Sequence, residues 1–258
     1  MPRFAANLTM MFNEYAFLDR FEAAAKAGFE AVEFLFPYEF PAEAIGERLS
    51  AHALSVVLFN LPPGDWSKGE RGLAALDGRQ AEFRASVETA LAYAKVLGVP
   101  RLHMMAGIAD RSDVMAAARY RDALAHAADA AGENGLDLLI EPLNRRDMPG
   151  YFLNDFNQAA DVIAELDRPN LKLQFDIYHR QILHGDMLKG LESLLSITGH
   201  IQTASVPGRN EPGTGELDDF RIFAALDELG YAGHIGCEYR PLADTVAGLS
   251  WRNRLNRS

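Results

Sequence analysis

The chain has 258 residues and a formal net charge of −11, from 36 acidic and 25 basic residues. Hydrophobic residues make up 48% and charged residues 24%, which excludes a disordered chain and is typical of a folded one. The acidic balance argues against nucleic-acid binding, because phosphate backbones require concentrated basic surfaces. The sequence has no apolar run of about 18 residues and no signal-like leader, so we expect neither a membrane span nor secretion. The single cysteine, Cys237, cannot form an intrachain disulfide, and we expect a cytoplasmic protein.

Eight short apolar runs recur along the chain, and each is followed by an Ala-, Leu- and Glu-rich segment at helical spacing. The predicted strands are Phe4–Leu8, Ala31–Phe36, Ser55–Leu61, Arg101–Ala106, Asp137–Leu143, Leu171–Tyr178, His200–Ser205 and His234–Tyr239. Nearly continuous apolar runs are typical of parallel strands that are covered on both faces. Eight βα units of about 32 residues predict an α/β fold, a (β/α)8 TIM barrel. We expect a single domain over residues 1–258, with an open, doubly wound sheet as the alternative.

Polar side chains end four consecutive predicted strands that are otherwise apolar. They are Glu141, Asp176, Gln202 and Glu238, on the fifth to eighth runs. The carboxyl ends of parallel barrel strands meet at one face, which is where the chemistry of such barrels takes place. Burying three carboxylates together is costly without a cation, and ligands that offer only oxygen suit Mg²⁺ or Mn²⁺ better than Zn²⁺. The pattern therefore predicts one divalent ion, although each acid alone could instead cap a helix or pair with an arginine.

Four further side chains are candidates to bind a small carboxylate substrate. His179 lies just past the sixth run, where a neutral imidazole suits a hydrogen bond to a substrate oxygen. Arg209 follows the seventh run, and a guanidinium there suits a bidentate contact with a carboxylate. Lys68 and Arg71 are second candidates for that contact, because they lie in a long loop over residues 62–76 that is typical of a lid or a mobile segment. A structural hydrogen bond for His179 and a solvated charge for Arg209 are the alternatives.

The chain also carries a series of short motifs, in order, along nearly its whole length. They are Phe4–Leu8, Val32–Tyr38, Asn60–Trp66, Gly69–Gly72, Ile140–Asn144, Phe175–His179, Glu211–Glu216 and Gly236–Tyr239. Together they resemble the hydroxypyruvate isomerase family, which lies within the xylose-isomerase-like barrel superfamily. The resemblance implies that Glu141, Asp176, Gln202 and Glu238 hold the metal and that Glu141 and Glu238 form the acid–base pair. Many relatives in the superfamily carry histidine at the position of Gln202, so the site here is shifted further towards oxygen ligands.

The implied reaction is an aldose–ketose type isomerisation of a small hydroxy-oxo acid, by proton transfer through an enediolate or by a hydride shift. Conversion of hydroxypyruvate to tartronate semialdehyde is favoured slightly by Glu211–Glu216, and 2-oxo-tetronate isomerase is the alternative. A ketose 3-epimerase, a catalytically silent metal-binding protein and an endonuclease IV-like DNA repair nuclease are less favoured. The nuclease would need a histidine-rich metal cluster and a basic face, whereas this chain has 7 histidines and a charge of −11. The oligomeric state stays open, with a homo-oligomer as one option.

Overall fold

Eight parallel strands form a closed barrel in chain order, which confirms the predicted TIM barrel and excludes the open sheet. The computed structural model describes residues 2–257. The strands are β1 Arg3–Asn7, β2 Ala31–Glu33, β3 Ser55–Asn60, β4 Arg101–His103, β5 Asp137–Ile140, β6 Leu171–Asp176, β7 Thr198–Thr203 and β8 His234–Cys237. Each strand ends one to three residues earlier than predicted. The apolar runs continue because the first loop residues, such as Phe34 and Met104, are still buried beyond the last strand pair.

Helices surround the barrel. They are α1 Arg20–Lys26, α2 Ala42–Ala51, α3 Gln80–Leu97, α4 Val114–Glu133, α5 Phe156–Leu166, α6 Ile177–Leu183, α7 Met187–Leu194, α8 Asp219–Glu228 and α9 Thr245–Gly248. Short 3-10 turns cover Phe17–Asp19, Trp66–Lys68, Leu195–Ile197 and Leu249–Arg257. Aspartates at helix starts accept backbone N–H bonds, as Asp113 does for α4 and Asp155 for α5, and satisfy donors that the helix leaves free. Among the described residues, no helix is both long and apolar enough to cross a membrane.

The strand register gathers polar side chains at the carboxyl end of the barrel. Asp176 of β6 pairs with Gln202 of β7, and Gln202 pairs in turn with Gly236 of β8. On the other side of β8, Asn7 of β1 pairs with Glu33 of β2. Since side chains alternate along a strand, residues at matching register positions point to the same side of the sheet. The closed barrel therefore brings strand ends that are far apart in the sequence into one layer.

The long loop over residues 62–76 packs against its neighbours. The ring of Trp66 lies 5.1 Å from that of Phe36, and the guanidinium of Arg71 lies 3.6 Å from the centre of the Trp66 ring. Gly72 has φ +105° and comes so close to the β4–α4 segment that a Cβ there would lie 2.2 Å from the Met105 carbonyl oxygen. This position therefore requires glycine twice, for its backbone angle and for the contact. These contacts fix the loop beside the barrel mouth.

Candidate active site

The four strand-end residues lie close together at the mouth of the barrel. Glu141, Asp176, Gln202 and Glu238 are all buried, with 0 to 7% of each residue exposed. Glu141, Gln202 and Glu238 line one cavity with about 220 Å³ of empty space. Asp176 lies beside it, because one oxygen of Asp176, one of Glu141 and a ring nitrogen of His179 are all within 4.8 Å of one another. This buried cluster could hold a metal ion.

The carboxylates of the cluster are poorly compensated by the described residues. Oε1 of Glu141 and Oδ2 of Asp176 are buried and accept no hydrogen bond from them. Burial raises the pKa of Glu141 well above its ordinary value, and the nearby charges of Glu238 and Asp176 raise it further. Burial also raises the pKa of Asp176 and Glu238, and Arg209 opposes the rise in both. Two buried carboxylate oxygens that accept no hydrogen bond from the described residues fit a divalent cation, since hard cations prefer oxygen ligands.

Asp176 also caps a helix, which is one of the alternative roles that the sequence left open for the strand-end acids. Its Oδ1 accepts a hydrogen bond from the backbone N–H of Tyr178 at 2.8 Å, at the start of α6. Its Oδ2 stays free of hydrogen bonds with the described residues. The carboxylate is therefore oriented by the helix through one oxygen, and the other oxygen points to the cluster.

His179 is held as a hydrogen-bond donor. The backbone N–H of Asn144 donates to its Nδ1 at 3.0 Å, and the Asn144 side-chain nitrogen lies 2.8 Å from the same atom. A backbone N–H can only donate, so Nδ1 accepts and the proton of the neutral ring is on Nε2. Burial lowers the pKa of His179 well below its ordinary value and keeps the ring neutral. Nε2 lies 3.6 Å from Asp176 and 4.0 Å from Glu141, so its N–H faces the space between the two carboxylates.

Arg209 lies inside the site, with only 11% of its side chain exposed. Its guanidinium is 3.3 Å from Glu238, 3.6 Å from Asp176 and 3.8 Å from Asp147. It also lies 4.9 Å from the centre of the Tyr178 ring. The expected arginine therefore contacts the predicted metal ligands themselves, and the guanidinium carries a positive charge into the cluster.

The segment that carries Arg209 is held by backbone and side-chain bonds. The N–H of Arg209 donates to the carbonyl of Ser205 at 2.8 Å, and its carbonyl accepts from the N–H of Arg240 at 2.8 Å. Its φ of +55° is unusual for a residue with a side chain, and strain of this kind persists only where the surroundings impose it. Asp219 ties the segment to α8 by accepting from Ser205 Oγ at 2.9 Å and from the N–H of Gly213 at 2.6 Å.

Lys68 and Arg71 lie in the packed loop and have other partners. Lys68 is 80% exposed and pairs with Asp65 at 2.8 Å. Arg71 lies over the Trp66 ring and donates to the carbonyls of Trp66 and Glu70 at 3.1 and 2.7 Å. The contacts of the described residues thus connect Arg209, and neither of these two, to the carboxylate cluster.

Several buried polar residues near the cluster were missed by the sequence reasoning. Glu33, His103 and His200 have at most 1% of their surface exposed. Nε2 of His103 lies 3.8 Å from Glu141, and neither nitrogen of His103 has a hydrogen-bond partner among the described residues. Burial lowers the pKa of His103 to about 3, which keeps it neutral. Glu33 and His103 end β2 and β4 in the structure, but the predicted strands run three residues further, so these side chains fell in the middle of the predicted runs.

The chain is similar over nearly its whole length to a known family and to curated relatives. Residues 21–255 match the family described as xylose isomerase-like TIM barrel. The chain is 55% identical over 253 residues to 2-oxo-tetronate isomerase of Cupriavidus necator, with 97% of each chain covered. It is 42% identical over 253 residues to hydroxypyruvate isomerase of Escherichia coli, with 97% of this chain and 98% of the relative covered.

A solved structure is also similar over the full length. It is named as AP endonuclease, family 2, from Brucella melitensis, with 47% identity, a TM-score of 0.95, and coverage of 98% of this chain and 99% of that chain. The curated relatives above are isomerases, in agreement with the resemblance found in the sequence motifs. The chain is therefore an isomerase, and it belongs to the xylose isomerase-like TIM barrel family.

Proposed function

We propose that the protein is a metal-dependent isomerase of the aldose–ketose type, which moves the carbonyl group of a small hydroxy-oxo acid to the neighbouring hydroxyl-bearing carbon. The observation that carries the proposal is that one buried oxygen each of Glu141 and Asp176 accepts no hydrogen bond from the described residues, with Gln202 and Glu238 buried at the same barrel mouth. Burying such a group of carboxylates costs free energy, and a purely structural role would not explain that cost. Binding a cation and transferring protons would explain it.

Glu141, Asp176, Gln202 and Glu238 would hold the ion, with Mg²⁺ or Mn²⁺ as the best match to oxygen ligands. When bound, the ion supplies positive charge that stabilises the negative oxygens of an enediolate. His179 presents an N–H rather than a lone pair to the cluster, so it donates a hydrogen bond to a substrate oxygen and does not act as a ligand. Asn144 sets this role by fixing the tautomer of the ring.

Glu141 and Glu238 act as the acid–base pair. One carboxylate removes a proton from the hydroxyl-bearing carbon, and the other carboxyl group gives a proton to the neighbouring carbonyl carbon, while the hydroxyl proton passes to the former carbonyl oxygen, so that the carbonyl group moves by one carbon. Burial raises the pKa of Glu141, and the charge of Glu238 raises it further, so simultaneous ionisation of the two carboxyl groups is disfavoured. A pair that holds one proton offers both the base and the acid that the two transfers require.

Arg209 binds the carboxylate of the substrate. Its guanidinium is buried and its backbone is fixed by Ser205 and Arg240, so little conformational freedom is lost on binding. A guanidinium in the site is matched to a carboxylate substrate rather than to the longer neutral sugar of a ketose 3-epimerase, which carries no opposite charge.

Two small acids fit this reaction class. The relative with 55% identity acts on 2-oxo-tetronate, and the relative with 42% identity acts on hydroxypyruvate. The higher identity favours the four-carbon acid, although the motif at Glu211–Glu216 leans to the three-carbon acid. We therefore expect turnover of both, with the larger kcat/KM for 2-oxo-tetronate.

The test is a comparison of kcat/KM for the two acids and for neutral ketoses, on one metal-loaded sample. Activity should fall on treatment with EDTA and return with Mg²⁺ or Mn²⁺. Full activity in metal-free protein, or higher kcat/KM for neutral ketoses than for either acid, would contradict the proposal. Incision of abasic DNA would favour the nuclease that the name of the Brucella structure suggests, but the charge of −11 argues against it.

A further inference from the structure

Glu33 reaches from β2 into the centre of the barrel mouth. It is buried to 1% exposure and lines the same cavity as Glu141, Gln202 and Glu238. A Cβ at Gly236 would lie 2.3 Å from Glu33 Oε2, so the carboxylate fills the space that a side chain on β8 would need. Glycine at this position therefore makes room for the Glu33 carboxylate.

Three donors from two other strands converge on this carboxylate. Oε1 accepts from Gln202 Nε2 at 2.7 Å and from Asn7 Nδ2 at 3.0 Å, and Oε2 lies 2.7 Å from His200 Nε2. At the other end of the Gln202 amide, Oε1 accepts from Gln174 Nε2 at 2.6 Å. Both ends of the Gln202 amide are thus assigned by partners that are themselves buried.

The contact with Glu33 fixes the orientation of the Gln202 amide group. A carboxylate only accepts hydrogen bonds, so it binds the NH₂ end of Gln202 and repels the oxygen end. The amide oxygen has two lone pairs. Gln174 uses one of them, and the second stays available. If the amide were reversed, its NH₂ group would face the NH₂ group of Gln174 and its oxygen would face the Glu33 carboxylate, so both hydrogen bonds would be lost.

We propose that Glu33 is a positioning residue that fixes the Gln202 amide with its oxygen towards the metal ion. The inference rests on the proposed function, in which Gln202 contributes a ligand oxygen. It adds a residue that acts through the orientation of another side chain. Partners of this kind commonly change metal affinity by about 10- to 100-fold when they are replaced.

The test measures Mn²⁺ binding to metal-free protein without substrate, by electron paramagnetic resonance of the free ion. Glu33→Gln keeps the size of the side chain but can donate as well as accept, so both amide orientations become allowed. We expect the dissociation constant for Mn²⁺ to rise about 10-fold or more. Glu30→Gln, the same change at an exposed residue just before β2, is the matched control and should leave the constant unchanged.

Two further variants separate positioning from charge and from folding. Glu33→Asp keeps the charge but is one methylene shorter, so it should also weaken Mn²⁺ binding; wild-type affinity in this variant would overturn the proposal. In a Gln202→Ala background, Glu33→Gln should have less than about a twofold effect, because its target is gone. An equal effect in both backgrounds would mean that Glu33 acts by charge alone and would overturn it.

The outcome for Gln202→Ala separates this inference from the proposed function. If that single variant binds Mn²⁺ as the wild type does, Gln202 is not a ligand and the role of Glu33 is overturned. The isomerase assay with and without metal is independent of that result.

Discussion

The replacement of Arg209 by methionine tests the electrostatic description of the site. Methionine keeps the packing against Tyr178 but removes the positive charge, which leaves Glu238 and Asp176 without the guanidinium at 3.3 and 3.6 Å. Removing one partner of a buried ion pair typically costs about 3–5 kcal/mol, because the other charge stays buried and unpaired. At about 2–4 °C per kcal/mol for a chain of roughly this length, the melting temperature should fall by about 6–20 °C.

The assay is thermal unfolding of metal-free wild type and Arg209→Met, followed by circular dichroism. Arg221→Met is the control, because Arg221 and its partner Glu228 are 49% and 64% exposed and such pairs contribute about 0–1 kcal/mol. A loss no larger than that of the control would refute the reasoning.

The pH dependence of the same variant has a defined sign. Burial raises the pKa of Asp176 and Glu238, so the folded state binds protons more tightly than the unfolded chain. The two carboxyl groups become neutral as the pH falls through these raised values, and a neutral carboxyl group no longer requires a positive charge beside it. The difference in the free energy of unfolding between wild type and Arg209→Met should therefore shrink as the pH is lowered from about 8 to about 5. A difference that does not change with pH would mean that the variant loses packing rather than an ion pair.

Three further predictions concern the residues around the cluster. Glu141→Gln and Glu238→Gln should each lower kcat by at least about 100-fold with the fold intact by circular dichroism, because general acid–base catalysis contributes about that much; near-normal kcat in either would remove it from the pair. His179→Leu should lower kcat/KM about 10-fold or more while His179→Gln, which can still donate, should lose less; equal losses would argue against a donor role. Asp219→Ala leaves Ser205 and Gly213 without their acceptor, so it should lower the free energy of unfolding by about 1–3 kcal/mol. It should also raise KM while changing kcat less. An unchanged KM would show that the segment carrying Arg209 is fixed without Asp219.

The architecture could be predicted from the sequence because it depends on a pattern that repeats. Apolar runs such as Ser55–Leu61 followed by helical segments predict eight parallel strands, and the structure closes them in chain order. Strand ends were less accurate, as for β4, which ends at His103 rather than Ala106. Residues such as Met105 remain buried after the strand pairing stops, so hydrophobicity alone cannot mark the end of a strand.

Candidate residues could be selected from strand ends, but their partners could not. The sequence places Glu141 and Asp176 at strand ends without giving the direction of their oxygens, and the free oxygens are visible only in the structure. The position of Arg209 depends on a left-handed backbone angle and on bonds to residues up to 31 positions away, and no local pattern encodes these. The contact between Glu33 and Gln202 joins two residues that are 169 positions apart in the sequence.

The charge balance of the barrel mouth leads to a final prediction about the metal ion. Glu33, Glu141, Asp176 and Glu238 are all buried there, and Arg209 is the one lysine or arginine among the described residues within ion-pair distance of any of them. The fold thus carries more negative charge at this point than its own cations neutralise, and a divalent ion would relieve the repulsion in the folded state alone.

Mn²⁺ at about 100 times its dissociation constant should therefore stabilise the protein by about 2.7 kcal/mol. The melting temperature should rise by about 5–11 °C, measured on protein freed of metal by EDTA. Removing a carboxylate ligand should abolish the rise, whereas Glu30→Gln, which changes an exposed acid remote from the cluster, should preserve it. If Mn²⁺ produces no shift, or an equal shift in Asp176→Asn, the excess of buried charge serves some purpose other than holding a cation.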